Sequence, residues 1–247
     1  MLTVPTAPYE DQRPSGGGGL RRPTGLFEGQ RNYLPNFIQS VLSSIDLRDR
    51  QGCTMVVGSD GRYFSRTAIE IVVQMAAANG VARAIVGQGG ILSTPAASHL
   101  IRLRGTDGGI ILSASHNPGG EDEDFGMKFN GANGGPASEK VTDLIFARTK
   151  EIESYRMLDA QDLDLSAVGE ARLGDMVVEI VDPVAAYAAL MERLFDFVAI
   201  RALFAGGFTM RFDAMHAVTG PYAREILERR LGAAPGTVQN ATPLPDF

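Results

Sequence analysis

Ser115, His116 and Lys128 are the residues whose types and spacing can do chemistry in this chain. A serine hydroxyl is a weak nucleophile until a base or an electrostatic clamp supports it. His116 adjoins it, and Lys128 follows in Phe125-Gly126-Met127-Lys128-Phe129-Asn130. The chemistry open to this set is that of a phosphate-carrying nucleophile. The plainer alternative is a surface turn with a solvated serine and histidine, and Ser-His-Asn alone does not decide between them.

Such a serine must be held by its neighbours. Ile110-Ile111-Leu112 behind Gly109 is an apolar run of strand length. It breaks off into Ser113-Ala114-Ser115-His116-Asn117-Pro118-Gly119-Gly120, where Asn, Pro and Gly signal a turn. Ser115 and His116 therefore fall at the carboxyl end of a strand, the edge where ligands bind in open α/β sheets. Gly58-Ser59-Asp60-Gly61-Arg62 follows a strand over 54–57 in the same way. Asp60 and Arg62 read equally well as a site and as a turn closed by a salt bridge.

The remaining pattern alternates between strands and helices, which implies a layered α/β fold. A helix over 32–45 carries Leu34, Phe37, Ile38, Val41, Leu42 and Ile45 on one stripe. A second runs over 65–79 with Ser65 as its cap and Gly80 as its stop. After a strand over 84–86, Gly87-Gln88-Gly89-Gly90 lacks the spacing of a phosphate loop and reads as a tight connection. Thr94 then caps a helix with Pro95 in its first turn and a structural His99 on its length. Further expectations are a solvated acidic loop at 121–124, a strand over 125–130 carrying Lys128, a helix over 138–155 and a polar connection over 159–175. A strand over 176–181 leads through Asp182-Pro183 into a helix reaching about 197. Beyond it come a strand over 209–212, a turn bearing His216, a helix over 220–231 and an extended, Pro-rich segment over 237–247. Residues 1–25 are rich in Gly, Pro and polar types, the composition of a flexible linker.

The 247 residues suffice for one large or two smaller domains. A net charge of -6 gives no electrostatic case for nucleic acid or an anionic membrane, though a local basic site can still take a small anion. The one cysteine, Cys53, allows no intrachain disulfide and reads as an inert, partly buried thiol. No run approaches transmembrane length and no signal pattern opens the chain, so a cytoplasmic enzyme is the default expectation. The sequence sets no oligomeric state.

Ser113-Ala114-Ser115-His116-Asn117-Pro118-Gly119-Gly120, then Asp124-Phe125-Gly126-Met127-Lys128-Phe129-Asn130, then Asn133-Gly134-Gly135-Pro136-Ala137, resembles the phosphoglucomutases of the α-D-phosphohexomutase superfamily. Pro8-Tyr9 and the stretches 87–97, 178–197 and 213–222 extend the resemblance over essentially the whole chain. It implies a helix-sheet-helix phosphohexomutase domain I over 1–185, followed by a partial domain II of the same type over 186–247. It implies an intramolecular phosphotransferase that interconverts glucose 1-phosphate and glucose 6-phosphate through glucose 1,6-bisphosphate. The serine matching Ser115 carries the phosphate. Lys128 and His116 are the candidates for proton transfer and charge stabilisation, and Arg21, Asn117 and Lys128 for binding substrate. Mg²⁺ is implied as cofactor, with the Ser115 phosphate as its ligand from this chain.

Gly19, Leu20 and Arg21 match a Thr-Ser-Gly-Leu-Arg segment of the family, while Gly17 and Gly18 stand where Thr and Ser are expected. The family's Asp-Gly-Asp-Gly-Asp metal loop, its sugar-discriminating loop and its distal phosphate-binding domain have no counterpart in the sequence, so the resemblance implies a truncated form. Two other readings stay open: a mutase for mannose or glucosamine phosphates, and a non-catalytic phosphoprotein or sugar-phosphate-binding fragment.

Overall fold

A computed structural model describes residues 1–15, 19–45, 47–161 and 163–247. In chain order its elements are β1 (Leu2–Pro5), β2 (Gly19–Pro23), α1 (Thr24–Gly29), α2 (Tyr33–Ser43), α3 (Leu47–Arg50), β3 (Thr54–Ser59), α4 (Ser65–Ala78), β4 (Arg83–Ile91), α5 (Thr94–Arg104), β5 (Gly108–Leu112), β6 (Asp124–Gly131), α6 (Glu139–Glu151), β7 (Ser154–Met157), β8 (Gly169–Leu173) and β9 (Met176–Val181). Then come α7 (Ala185–Leu194), α8 (Phe197–Ala205), β10 (Phe212–Asp213), α9 (Thr219–Ala223), a π-helical continuation (Arg224–Arg230) and β11 (Val238–Gln239).

Seven strands form the main sheet in the order β2-β6-β5-β3-β4-β9-β8. The four central strands are parallel, and β6, β2 and β8 pair antiparallel at the margins. Period-two alternation splits each central strand between two cores. Met55, Val57, Ala84, Val86, Ile110 and Leu112 face one core, with the Leu34–Phe37–Ile38–Val41–Leu42 stripe of α2 and Ile69, Val72 and Val73 of α4. Val56, Ile85 and Ile111 face the other, with Ala97, Leu100 and Ile101 of α5 and Ala188 of α7. Because both faces are covered, the central strands read as continuous apolar runs. This is the mixed α/β, helix-sheet-helix architecture expected from the sequence.

Several expectations are corrected. Residues 1–25 include two strands, since β1 pairs with β7 and β2 with β6, and those backbone hydrogen bonds supply order that composition does not show. Gly17 and Gly18 lie outside the described residues. The glycines at 87–90 belong to β4, where pairing with β3 jumps from Val57↔Val86 to Ser59↔Ile91. That bulge uses positive φ at Gly89 and Gly90. Phe64, not Ser65, precedes α4 at φ 68, and its ring packs edge-on against Phe125 at 5.3 Å. Ser93, not Thr94, caps α5 by accepting from the Ala96 amide at 3.3 Å. The helix expected over 138–155 ends at Glu151, because residues 154–157 pair with β1. The connection over 159–175 contains β8, which pairs with β9.

The chain beyond β9 also differs from expectation. The helix expected to reach 197 breaks at Phe195, and Asp196 caps α8 by accepting from the Ala199 amide at 2.9 Å. The strand expected over 209–212 is only Phe212–Asp213. The helix expected over 220–231 widens into π-type bonding, with the Leu231 amide on the Ile226 carbonyl at 2.9 Å. The extended segment holds β11, parallel to β10. Tyr222 joins this part to the first: its hydroxyl accepts from the Ser93 amide at 2.9 Å, and its ring meets Tyr187 edge-on. Leu194, Phe195, Val198, Leu203 and Phe208 remain exposed around α8. Among the described residues no helix is long and apolar enough to cross a membrane.

Candidate active site

Strand register alone brings the segments of the site together. In the parallel pair β3–β5, Ser59 lies opposite Leu112, so the segments after both strands leave the sheet side by side. Asp60 and Arg62 therefore meet the Ser113–Gly120 loop, and the Asp60 amide bonds the Leu112 carbonyl at 3.1 Å. On the other flank, β6 puts Lys128 opposite Ile111, and β2 puts Arg21 opposite Gly126. Residues 126 and 128 share a face, as do directly paired residues, so Arg21 and Lys128 project from the same side of the sheet. Their cross-strand partners on β2 and β6 are Gly19 and Gly126, which leaves that face open. A Cβ at Gly126 would come 2.5 Å from the Ser113 carbonyl oxygen, so only glycine lets β6 approach the loop this closely.

Ser115 is exposed and stands at φ 58, a left-handed conformation that costs a non-glycine residue about 1–3 kcal/mol. Its amide donates to Ser113 Oγ at 2.9 Å, and the Asn117 amide closes the turn on the Ala114 carbonyl at 3.2 Å. Arg21 Nη2 donates to Ser115 Oγ at 3.0 Å and Nη1 to Asn117 Oδ1 at 3.5 Å. Asn117 in turn donates to the Asp124 carboxylate. Asp124 is thus half-buried in the site, whereas Glu121, Asp122 and Glu123 are exposed, as expected of a solvated loop.

Lys128 is half-buried, and burial holds its ammonium below the usual lysine range. The positive charge of Arg21 pushes in the same direction, while Asp60 opposes it. His116 is exposed beside Ser115. The structure thus brings Arg21, Ser115 and Asn117 into direct hydrogen bonding. It places Lys128 within electrostatic reach of Arg21 and leaves His116 at the rim.

Asp60 and Arg62 prove to be both a salt bridge and part of the site's frame. Arg62 Nη2 lies 2.9 Å from Asp60 Oδ2, and the guanidinium also reaches the loop's backbone. Ser113 and Asp124 lie inside the motifs that carry the resemblance, but no hydrogen-bonding role in the site follows for them from sequence. The signal for Ser113 was its place two residues before Ser115, where a serine hydroxyl can close a turn. For Asp124 it was the end of an acidic run directly before a strand.

A cavity of about 480 Å³ opens beside Ser115. Asp60, Ser93, Ser113 and Ser115 line one part of it, and Met210, Phe212, Val218, Ile226 and Leu227 another. His216, the other loop histidine, bonds the Thr242 carbonyl at 3.0 Å and does not line this cavity. His99 is buried in α5, consistent with a structural role. Among the described residues no group of three or more His, Cys, Asp or Glu is placed to hold a metal ion. Asp60 is committed to Arg62 and Asp124 to Asn117, so the carboxylates around Ser115 do not fit a magnesium site by themselves.

Comparison with known proteins adds to this geometry. Residues 12–156 match the family model described as phosphoglucomutase/phosphomannomutase, alpha/beta/alpha domain I. The chain is 63% identical over 255 residues to the human phosphoglucomutase-like protein 5, covering 100% of this chain and 45% of that protein. It is 57% identical to a phosphoglucomutase of Rhizobium radiobacter, again covering 100% of this chain and 45% of the relative. The open-form crystal structure of the exocytosis-sensitive phosphoprotein pp63/parafusin, a phosphoglucomutase from Paramecium, superposes with a TM-score of 0.94 at 40% identity. That match covers 100% of this chain and 46% of the other. The chain thus spans under half the length of the relatives it matches.

Proposed function

The chain belongs to the phosphoglucomutase/phosphomannomutase family, and from that membership we propose that Ser115 is the phosphoryl carrier of a phosphoglucomutase. The observation that carries the proposal is the Arg21 guanidinium, 3.0 Å from an exposed Ser115 Oγ, with Lys128 on the same face of the sheet. A phosphoserine brings a charge of about -1.5 to -2, which Arg21 can meet with two parallel donors.

In the forward half-reaction, a hydroxyl of glucose 1-phosphate bonds the phosphorus as the bond from phosphorus to Ser115 Oγ breaks. The hydroxyl proton passes to a base, and the product is glucose 1,6-bisphosphate. Lys128 is our candidate for that base, because a lysine held below its usual range gives up its proton more readily. His116 stands at the same rim and is the second candidate. Ser115 Oγ, left with the bonding electron pair, keeps its contact to Arg21. The bisphosphate then turns over: Ser115 Oγ bonds its other phosphorus as the bond from that phosphorus to the sugar O1 breaks, and O1 takes back the proton held by the base, releasing glucose 6-phosphate and restoring phosphoserine.

Mg²⁺ belongs to this reading as a partner of the Ser115 phosphate. Among the described residues no group of three or more His, Cys, Asp or Glu completes its ligand set. We assign 1–185 to the domain that carries phosphoserine and 186–247 to part of a second domain. Glucose phosphates as substrates, a reading supported by a relative named phosphoglucomutase, and a cytoplasmic location complete the proposal.

A coupled assay of glucose 1-phosphate to glucose 6-phosphate, primed with glucose 1,6-bisphosphate and Mg²⁺, tests this. Turnover is expected to disappear in Ser115→Ala. Turnover that survives Ser115→Ala refutes the assignment.

A further inference from the structure

Among the described residues Arg62 is the largest fully buried side chain, 0% exposed. A buried guanidinium is stable only when its charge is balanced and its donors are used. Asp60 balances the charge: Nε donates to Oδ1 at 3.0 Å and to Oδ2 at 3.1 Å, and Nη2 donates to Oδ2 at 2.9 Å. The remaining donors go to backbone carbonyls that fix the serine loop. Nη2 reaches Ser115 at 3.2 Å and Asn117 at 3.3 Å, while Nη1 reaches Pro118 at 3.3 Å and Asp124 at 2.6 Å. One planar fork thus ties the turn to Asp60, directly after β3, and to Asp124 at the start of β6.

The fork is closed over from elsewhere in the chain. The Phe247 ring centroid lies 5.3 Å from the guanidinium carbon, within cation–π range. The Tyr63 amide donates to the Pro245 carbonyl at 2.8 Å. A Cβ on Gly119 would come 3.0 Å from that same carbonyl oxygen, so the segment is seated directly against the loop.

We propose that Arg62, closed over by the Pro245–Phe247 segment, is the positioning residue that holds Ser115 in its left-handed turn and so sets the direction of Oγ. The consequence for phosphoryl transfer rests on the reading of Ser115 as carrier. The positioning itself does not. Because the clamp runs through the segment after β11, the order of the loop depends on the seating of that segment. Lysine cannot replace Arg62 here, since one ammonium does not span a carboxylate and three loop carbonyls.

The test compares the unaltered chain with Arg62→Lys and Phe247→Ala by amide hydrogen exchange. The reporters are the Ser115 amide, bonded to Ser113 Oγ, and the Asn117 amide, bonded to the Ala114 carbonyl. Exchange over 113–119 is expected to quicken about tenfold in Arg62→Lys and about threefold in Phe247→Ala, with the amides of β5 and α2 unchanged. Unchanged loop exchange in either folded variant overturns the proposal. Should Arg62→Lys lose protection throughout, Phe247→Ala decides, because it leaves Arg62, Asp60 and the loop's own bonds in place.

A second readout is phosphoryl uptake by Ser115 from glucose 1,6-bisphosphate. In Arg62→Lys its rate is expected to fall about tenfold, while the Kd for glucose 1,6-bisphosphate stays within about threefold. A fall confined to Kd contradicts positioning. Failure of the unaltered chain to take up phosphate at all sinks the carrier reading, and the exchange comparison still decides on Arg62.

Discussion

Replacing Arg21 separates its two roles, hydrogen bonding to Ser115 and lowering the proton affinity of Lys128. In Arg21→Gln the charge-assisted contact to Ser115 Oγ at 3.0 Å is lost. Hydrogen bonds to charged groups are worth about 1.5–3 kcal/mol, so phosphoryl uptake from glucose 1,6-bisphosphate should slow by about 10- to 150-fold. The same change removes a positive charge that helps hold Lys128 below its usual range, so the Lys128 titration should move upward. Arg21→Lys keeps the charge but cannot bridge Ser115 and Asn117 with one planar fork. It should slow uptake while leaving Lys128 nearer its original titration. Uptake is read by intact mass over time, and Lys128 by NMR of its ¹³C-methylated side chain. Uptake in Arg21→Gln within about twofold of the unaltered chain would refute the claim that this contact stabilises the transferring phosphate. A Lys128 titration that does not rise would refute the electrostatic coupling.

Other consequences follow from single contacts. A methyl group at Gly126 would meet the Ser113 carbonyl oxygen at 2.5 Å, so Gly126→Ala should cost about 1–3 kcal/mol in urea unfolding and depress uptake by displacing the loop backbone. His99 is buried and held below its usual value by that burial first, with the charges of Arg102 and Arg193 adding to it. The unfolded chain then binds more protons in the window from the lowered value up to about 6.5. Stability is therefore fully present above that window and falls with pH through it, and His99→Gln should flatten this limb in a plot of Tm against pH.

Much of the fold was legible because the central strands are buried on both faces. Ile110-Ile111-Leu112 and Met55-Val56-Val57 read as strands whatever surrounds them, and the α2 stripe reads as a helix by its period. Marginal elements were not legible. β2 has the composition of a linker and becomes a strand only through pairing with β6. β8 and β11 likewise exist through their partners.

In the site, a strand breaking into Ser-Ala-Ser-His-Asn-Pro announced a turn at a sheet edge, and family resemblance pointed to Arg21, Asn117 and Lys128. What no local pattern shows is the register that puts Arg21 and Lys128 on one face, or the fork of Arg62 spanning residues 60–124. Those relations join residues far apart in sequence, so a reading of neighbours left Asp60 and Arg62 undecided between a site and a turn.

The most direct test of the account is whether Ser115 takes and returns a phosphoryl group. The chain would be incubated with glucose 1,6-bisphosphate, freed of sugar, mapped by peptide mass spectrometry, and then challenged with glucose 1-phosphate. The account predicts one phosphoryl group per chain, on Ser115, that transfers back to the sugar. No phosphate on Ser115, or phosphate there that glucose 1-phosphate cannot remove, would contradict it.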